Sequence, residues 1–207
     1  VYYKVFGDEN HSDSDAQGPV EITIEKKELG LTWTNTSFSY DGSAHKPTVT
    51  ATGTIGEDDV KVEVSGEQIA AGTYTATAAL TGDDADNYKL PTAVNKTTFE
   101  ITKSAATVSA SPEAKELTYN GTSQELISAG TASGGTLKYR VDGGTTWADT
   151  IPKGTNAGDY EVYYKVFGDE NHSDSDAQGP VEITIEKKEL SSTWTNTSFS
   201  YDGSAHK

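Results

Sequence analysis

Oxygen-bearing side chains alternate through residues 168–176, which read Gly-Asp-Glu-Asn-His-Ser-Asp-Ser-Asp. Asp169, Asn171 and Ser173 stand at every second position, and Asp174 or Asp176 is placed to close a coordination shell. Hard divalent cations such as Ca²⁺ take six to eight oxygen ligands of this kind. The same nine residues occur at 7–15, where the counterparts are Asp8, Asn10, Ser12, Asp13 and Asp15. Two parts of an EF-hand loop are missing, the glycine at its sharp turn and the bidentate closing glutamate. An acidic loop between two strands is also stable with water alone, so the Ca²⁺ reading and the plain-loop reading stand side by side. Asp83, Asp84 and Asp86 form a sparser version.

Other chemistry finds less support. The four histidines are two positions seen twice, His11 with His172 and His45 with His206. They show no metal-ligand spacing such as His-Glu-x-x-His, which points to loop histidines. No serine sits in a nucleophile-elbow context, and no carboxylate pair stands out among 32 acidic residues. The chain is read as non-enzymatic, with no catalytic residues and no cofactor other than the Ca²⁺ just considered. Trp33, Trp147 and Trp194 are expected in cores, because small domains depend on aromatic rings for buried area. In Tyr2-Tyr3 and Tyr163-Tyr164 the rings fall on opposite faces of a strand, so one of each pair is expected outside the core. Asn-x-Ser/Thr triplets at Asn10, Asn35, Asn95, Asn120, Asn171 and Asn196 matter only in a eukaryotic secretory pathway.

The elements that carry these residues are repeated. Residues 1–46 and 162–207 agree at 44 of 46 positions at an offset of 161; the two differences are Gly30-Leu31 against Ser191-Ser192. Within this frame the hydrophobic pattern has period two. Val20, Ile22 and Ile24 alternate with Glu21, Thr23 and Glu25; Val60, Val62 and Val64 do the same, as do Tyr74, Ala76, Ala78 and Leu80. Such alternation marks half-buried strands. Asp41-Gly42 and Asn120-Gly121 are turn signals. Strands are expected at 1–6, 19–25, 48–52, 60–64, 73–80, 98–103, 136–141, 160–167 and 181–186, with residues 146–147 as a short return strand.

Two repeat types emerge. Tyr40-Asp41-Gly42 corresponds to Tyr119-Asn120-Gly121, and Ala71-Gly72-Thr73-Tyr74 corresponds to Ala157-Gly158-Asp159-Tyr160. Residues 28–103 form a complete type B repeat and 104–188 a complete type A repeat. Residues 1–27 are the C-terminal part of another A, and 189–207 the N-terminal part of another B. Neither terminal fragment carries enough strands to close a core, so additional strands are expected to complete them. The connections at 103–105 and 187–190 are short, which implies end-to-end stacking with little hinge freedom.

Composition agrees. Hydrophobic residues are 33%, yet 11 Tyr, 5 Phe and 3 Trp argue against disorder. There is no cysteine for disulfides or thiolate metal sites. A formal charge of −16 disfavours binding to nucleic acid, whose backbone selects basic proteins. No apolar run is long enough to insert into a membrane. The fold class that follows is all-β, as tandem Ig-like β-sandwich domains in an elongated array, with a β-grasp variant as the alternative.

The ordered signatures Tyr-Asp/Asn-Gly, Ala-Gly-x-Tyr, Gly-Asp…Asn-Tyr/His and a final apolar-x-Ile-x-Lys strand resemble the Ig-like and MBG-type repeats of Gram-positive surface adhesins. The resemblance covers the whole chain and implies a stalk module on the bacterial cell surface. The implied partners are neighbouring repeats of the same chain or further copies in a filament. An adhesin module that itself binds a host glycan or protein is the alternative. The chain carries no LPxTG-like anchor motif. Related pilin-like modules carry Lys–Asn isopeptide cross-links, but no Lys/Asn pair here falls on first and last strands.

Overall fold

A computed structural model describes residues 1–195 and 198–206. The Asn196 triplet lies outside these residues. The chain divides into two compact units, residues 1–102 and 103–207.

In the first unit the strands are β1 (Lys27–Glu28), β2 (Gly30–Thr34), β3 (Ser37–Ser39), β4 (Thr48–Thr52), β5 (Lys61–Ser65), β6 (Gly72–Thr81), β7 (Tyr88–Lys89) and β8 (Lys96–Thr102). A four-stranded sheet has the order β3-β8-β6-β5. β6 pairs antiparallel with both β5 and β8, while β3 lies parallel to β8. β2 pairs instead with β4 in a second, antiparallel layer. The opening segment therefore serves both layers, β2 in one and β3 in the other, with the break at Asn35, whose φ is +55°. Among the described residues the one helical turn is Ala85–Asn87.

The second unit repeats this plan. Its strands are β9 (Ser104–Ala105), β10 (Thr107–Ala110), β11 (Leu117–Thr118), β12 (Gln124–Glu125), β13 (Thr131–Ser133), β14 (Gly135–Val141), β15 (Lys153–Gly154), β16 (Gly158–Gly168), β17 (His172–Ser173) and β18 (Gln178–Glu186). The main sheet runs β11-β18-β16-β14, again with a parallel first-to-last pair, and β10 pairs with β13 in the other layer. Both units are Ig-like β-sandwiches. Each also carries a tyrosine near the start of its longest strand whose hydroxyl donates back four residues, Tyr74 to the Ala70 carbonyl at 3.0 Å and Tyr160 to Asn156 at 2.9 Å. A tyrosine that ties its strand to upstream backbone is a feature of immunoglobulin-type sandwiches.

Alternation places the cores. In the second unit Leu137, Tyr139, Val162, Tyr164, Val166, Ile183 and Ile185 point inward from three adjacent strands and meet Leu126, Ile127 and Ala106. In the first, Ala76, Phe99 and Ile101 form a smaller core flanked by Trp33, Phe38, Tyr40, Val64 and Tyr74. Phe99 meets Phe38 edge-on at 6.1 Å, a favourable quadrupole geometry.

The terminal stretches depart from the strand expectations. Residues 1–6 and 19–25 form no strand beyond a bridge between Tyr3 and Gln17, although their copies lie in β16 and β18. Residues 190–195 and 198–206 likewise lack the strands that their counterparts form at 30–39. A strand is stabilised by its neighbours and by burial of one face, more than by intrinsic preference. The return strand at 146–147 is also absent; only Ala148 bridges to Tyr139.

Candidate functional site

The acidic loop of the second unit follows β16 and is built from its own contacts. Asp169 Oδ1 accepts from the Asn171 amide at 2.8 Å and bonds His172 Nδ1 at 2.7 Å. Asp174 Oδ1 accepts from the Gly168 amide at 2.9 Å, and its Oδ2 meets the Lys165 ammonium at 2.9 Å. Ser175 Oγ accepts from the Val166 amide at 2.9 Å. Ser173 donates through its hydroxyl to the Ser104 carbonyl at 3.3 Å, and β17 runs parallel to β9. Lys103 donates to the Asp169 carbonyl at 3.0 Å. Thus the loop ties the end of the longest strand to the first residues of its own unit.

Electrostatics follow from these contacts. The His172 hydrogen bond, then the Asn171 amide, hold the Asp169 carboxyl below its ordinary value of 3.8. Lys165, then the Gly168 amide, do the same for Asp174. Hydrogen bonds and cations favour the ionised form of a carboxyl.

The first copy keeps this local pattern. Asp8 bonds the Asn10 amide at 2.8 Å and His11 at 2.7 Å, and Asp13 bonds the Gly7 amide at 2.8 Å and Lys4 at 2.7 Å. Asp8 is lowered mainly by the Asn10 amide and Asp13 mainly by Lys4. Ser12 and Asp15 are exposed beside them, as Asp176 is in the second copy. The alternating oxygens of the sequence are thus brought into one loop, but the Asp169 and Asp174 carboxylates are turned to loop amides, a histidine and a lysine. Among the described residues no three or more His, Asp or Glu side chains are grouped to hold a metal ion.

The other histidine position behaves alike. His45 Nε2 bonds Asp41 at 2.9 Å and stacks on Phe38 at 4.6 Å; His206 bonds Asp202 at 3.0 Å and stacks on Phe199 at 4.5 Å. The Ser43 amide, then His45, lower the Asp41 carboxyl.

One cluster escaped the sequence reading. The outer face of β14 and β16 carries Lys138, Arg140, Tyr163, Lys165 and Phe167, joined by Trp147. Arg140, the chain's single arginine, lies over Trp147 at 5.2 Å and over Tyr163 at 5.0 Å. Lys165 lies 4.3 Å from the Phe167 ring centre, and Lys138 5.1 Å from the same ring. Trp147 is therefore outside the core, in contrast to the expectation for it. Its neighbours explain this, since an indole face is the best aromatic partner for a guanidinium. The Arg140 Nε is the one buried side-chain polar atom among the described residues with no hydrogen-bond partner. The two flanking rings supply its electrostatic compensation. The register signals the cluster: Lys138 faces Lys165 and Arg140 faces Tyr163 across the ladder. Two lysines directly opposed need an intervening group to offset repulsion. Tyr163 also donates to Glu161 at 3.0 Å, and that carboxylate raises the phenol above its ordinary value. The Trp147, Tyr163 and Phe167 rings thus each have a cation of the protein's own within 5.2 Å of the ring centre.

No family model matches the chain. No curated protein matches it either. Among solved structures it is similar to fibronectin(III)-like modules of CbhA from Clostridium thermocellum, at 15% identity and a TM-score of 0.31, over 81% of this chain and 100% of that one. The strand order of each unit defines the fold.

Proposed function

We propose that the chain is a structural repeat segment of a bacterial surface stalk or extracellular fibre, in which β-sandwiches of two alternating types space or link binding domains. The observation that carries this reading is the near-identity of residues 1–46 and 162–207, a copy that spans the end of one sandwich and the start of the next. A duplication that conserves a junction is what a polymer of joined sandwiches requires; a binding site would require conservation of one surface. Three further features support the reading. Each unit has its own core. A single residue, Lys103, separates β8 from β9. The net charge of −16 opposes lateral association. The work done is mechanical, with no substrate turned over. MBG-type adhesin repeats are the family this description fits best.

Small-angle scattering on chains built from one, two and three 161-residue periods tests it. The maximum dimension should rise in equal steps with each added period. A dimension that grows only as the cube root of mass would mean collapsed globules and would end the stalk reading.

A further inference from the structure

The two units differ at one edge of the main sheet. In the second unit β14 ends the sheet, and the chain folds back onto it: Tyr139 and Ala148 exchange backbone hydrogen bonds at 2.7 and 2.9 Å. In the first unit β5 holds the same place. Val64 lies opposite Ala78 as Tyr139 lies opposite Tyr164, and Ala78 and Tyr164 each stand four residues past Tyr74 and Tyr160. Among the described residues no strand or bridge lies beyond β5. An open sheet edge presents unpaired amides and carbonyls, a template for another strand.

The ladder fixes which groups are open. Ala78 donates its amide to the Asn95 carbonyl at 2.9 Å, on the β8 side of β6. Opposed residues of an antiparallel pair alternate between hydrogen-bonded and non-hydrogen-bonded positions, so Thr77, Ala79 and Thr81 bond towards β5. Their partners Ser65, Glu63 and Lys61 are thereby engaged. Val62 and Val64 are left with amide and carbonyl pointing away from the sheet. Their side chains are half-buried, while Lys61 and Glu63 stand on the outer face. Beside this edge the two layers leave a groove of about 460 Å³, lined by Lys46, Pro47, Val49, Val62, Glu63 and Val64.

The edge is complementary to itself. Residues 60–64 read Val-Lys-Val-Glu-Val. Set antiparallel against a second copy about Val62, they place Val62 opposite Val62, and twice over place Lys61 opposite Glu63 and Val60 opposite Val64. The valines then fall at hydrogen-bonded positions, as their outward backbone groups require. Lys61 and Glu63 fall at the non-hydrogen-bonded positions, where side chains are closest. Opposite charges directly across a ladder stabilise it and like charges destabilise it. Moving the centre to Glu63 opposes two glutamates. Moving it to Val64 sets Val62 against Gly66, which lies past the end of the strand with a φ of +102°. Lys61 already meets Asp59 at 2.9 Å, but its side chain is 70% exposed, and an ammonium has three donors to share.

We propose that the open edge of β5 is a self-association surface, on which a second copy of the chain pairs antiparallel about Val62 and joins the two main sheets into one. This adds to spacing along the chain a lateral contact at one place, on the type B unit, whose type A neighbour has closed the same edge with its own backbone. The net charge of −16 keeps the remaining surfaces apart. That repulsion is screened beyond about 8 Å at physiological salt, whereas strand pairing acts at contact.

The chain contains no cysteine, so a single introduced thiol reports proximity. Chains carrying Lys61→Cys and Glu63→Cys are oxidised separately and as a mixture at physiological salt. Both side chains are exposed, so the substitutions leave the core intact. The mixture should cross-link on the order of tenfold faster than either chain alone. Positions 61 and 63 of two copies are directly opposed and within disulfide reach, whereas like positions lie on a diagonal about 7–8 Å apart. Sedimentation gives a second readout. Lys61→Glu should weaken association on the order of tenfold, and adding Glu63→Lys should restore it. Equal cross-linking in all three samples, association blind to the charge swap, or a chain that stays monomeric to about 1 mM would each overturn the pairing.

Discussion

The two copies of one sequence permit a stability experiment with an internal control. Ile185 is 1% exposed in the second core, and Ile24, in an identical sequence context, is 93% exposed. Replacing Ile185 with alanine removes buried carbons that touch Leu126 and its neighbours. Core Ile→Ala changes cost about 2–5 kcal/mol, combining lost transfer energy with the residual cavity. Exposed substitutions away from special features fall within about 0.5 kcal/mol of zero. For a unit of this size each kcal/mol moves the melting temperature by roughly 4–8 °C. Ile185→Ala should therefore lower the transition of the second unit on the order of 10 °C or more, and Ile24→Ala should leave it in place. Leu29, 2% exposed, and Leu190, 98% exposed, give the mirrored test in the first unit. Calorimetry on the four single variants resolves which transition moves. If Ile185→Ala is too unstable to purify, Ile185→Val grades the effect to about 0.5–1.5 kcal/mol. Equal losses from Ile24→Ala and Ile185→Ala would refute the assignment of the core.

Three further outcomes are expected. A double-mutant cycle on Arg140→Met and Trp147→Leu should give a coupling of about 0.5–1 kcal/mol, typical of a partly exposed cation–aromatic pair; additive losses would mean the two side chains act independently. The Asp169 and Asp174 carboxyls are held below 3.8, so the folded second unit binds fewer protons than the unfolded chain near that pH. Their stabilisation is fully present above the ordinary carboxylate range and is lost as pH falls through the lowered folded values. Acid titration of the second unit from pH 5 to pH 2 should thus be steeper for the parent than for Asp174→Asn; parallel curves would dismiss the contribution. Finally, millimolar Ca²⁺ should leave both melting transitions unchanged, since the Asp169 and Asp174 oxygens are already partnered; a rise abolished by Asp169→Ala would instead establish a cation in that loop.

The strands that were legible in the sequence are those with period-two burial and a partner in the same chain. Residues 48–52 match β4 in full, and the alternation of Tyr74, Ala76, Ala78 and Leu80 lies within β6. What sequence pattern does not contain is whether a partner strand is present. Residues 19–25 and 180–186 are the same letters, yet only the latter form a strand, because β11 and β16 flank them. The acidic loop was legible as a cluster of oxygens but not in its bonding. Distinguishing ligands from self-capping groups requires the positions of Lys165, the loop amides and His172. Trp147 was misplaced in the core for a similar reason. A ring set against cations of β14 and β16 reads, along the chain, like any other aromatic residue in a small domain.

The two positions at which the copies differ lie in β2 of the first unit. Gly30 pairs with Thr52 in β2–β4, and a Cβ built on it would lie 2.7 Å from Thr52 Oγ1. Leu31, opposite Ala51, is half-buried beside Trp33 on the same face of the strand. Ser191-Ser192 in the second copy brings a side chain where the first has none and a hydroxyl where the first has four apolar carbons. The crowding is relieved by rotation of one threonine side chain, since the contact is to its end and not to backbone. The lost leucine has no such remedy, because burying a hydroxyl without a partner is unfavourable. In the first unit, therefore, Gly30→Ser should be tolerated and Leu31→Ser should be destabilising.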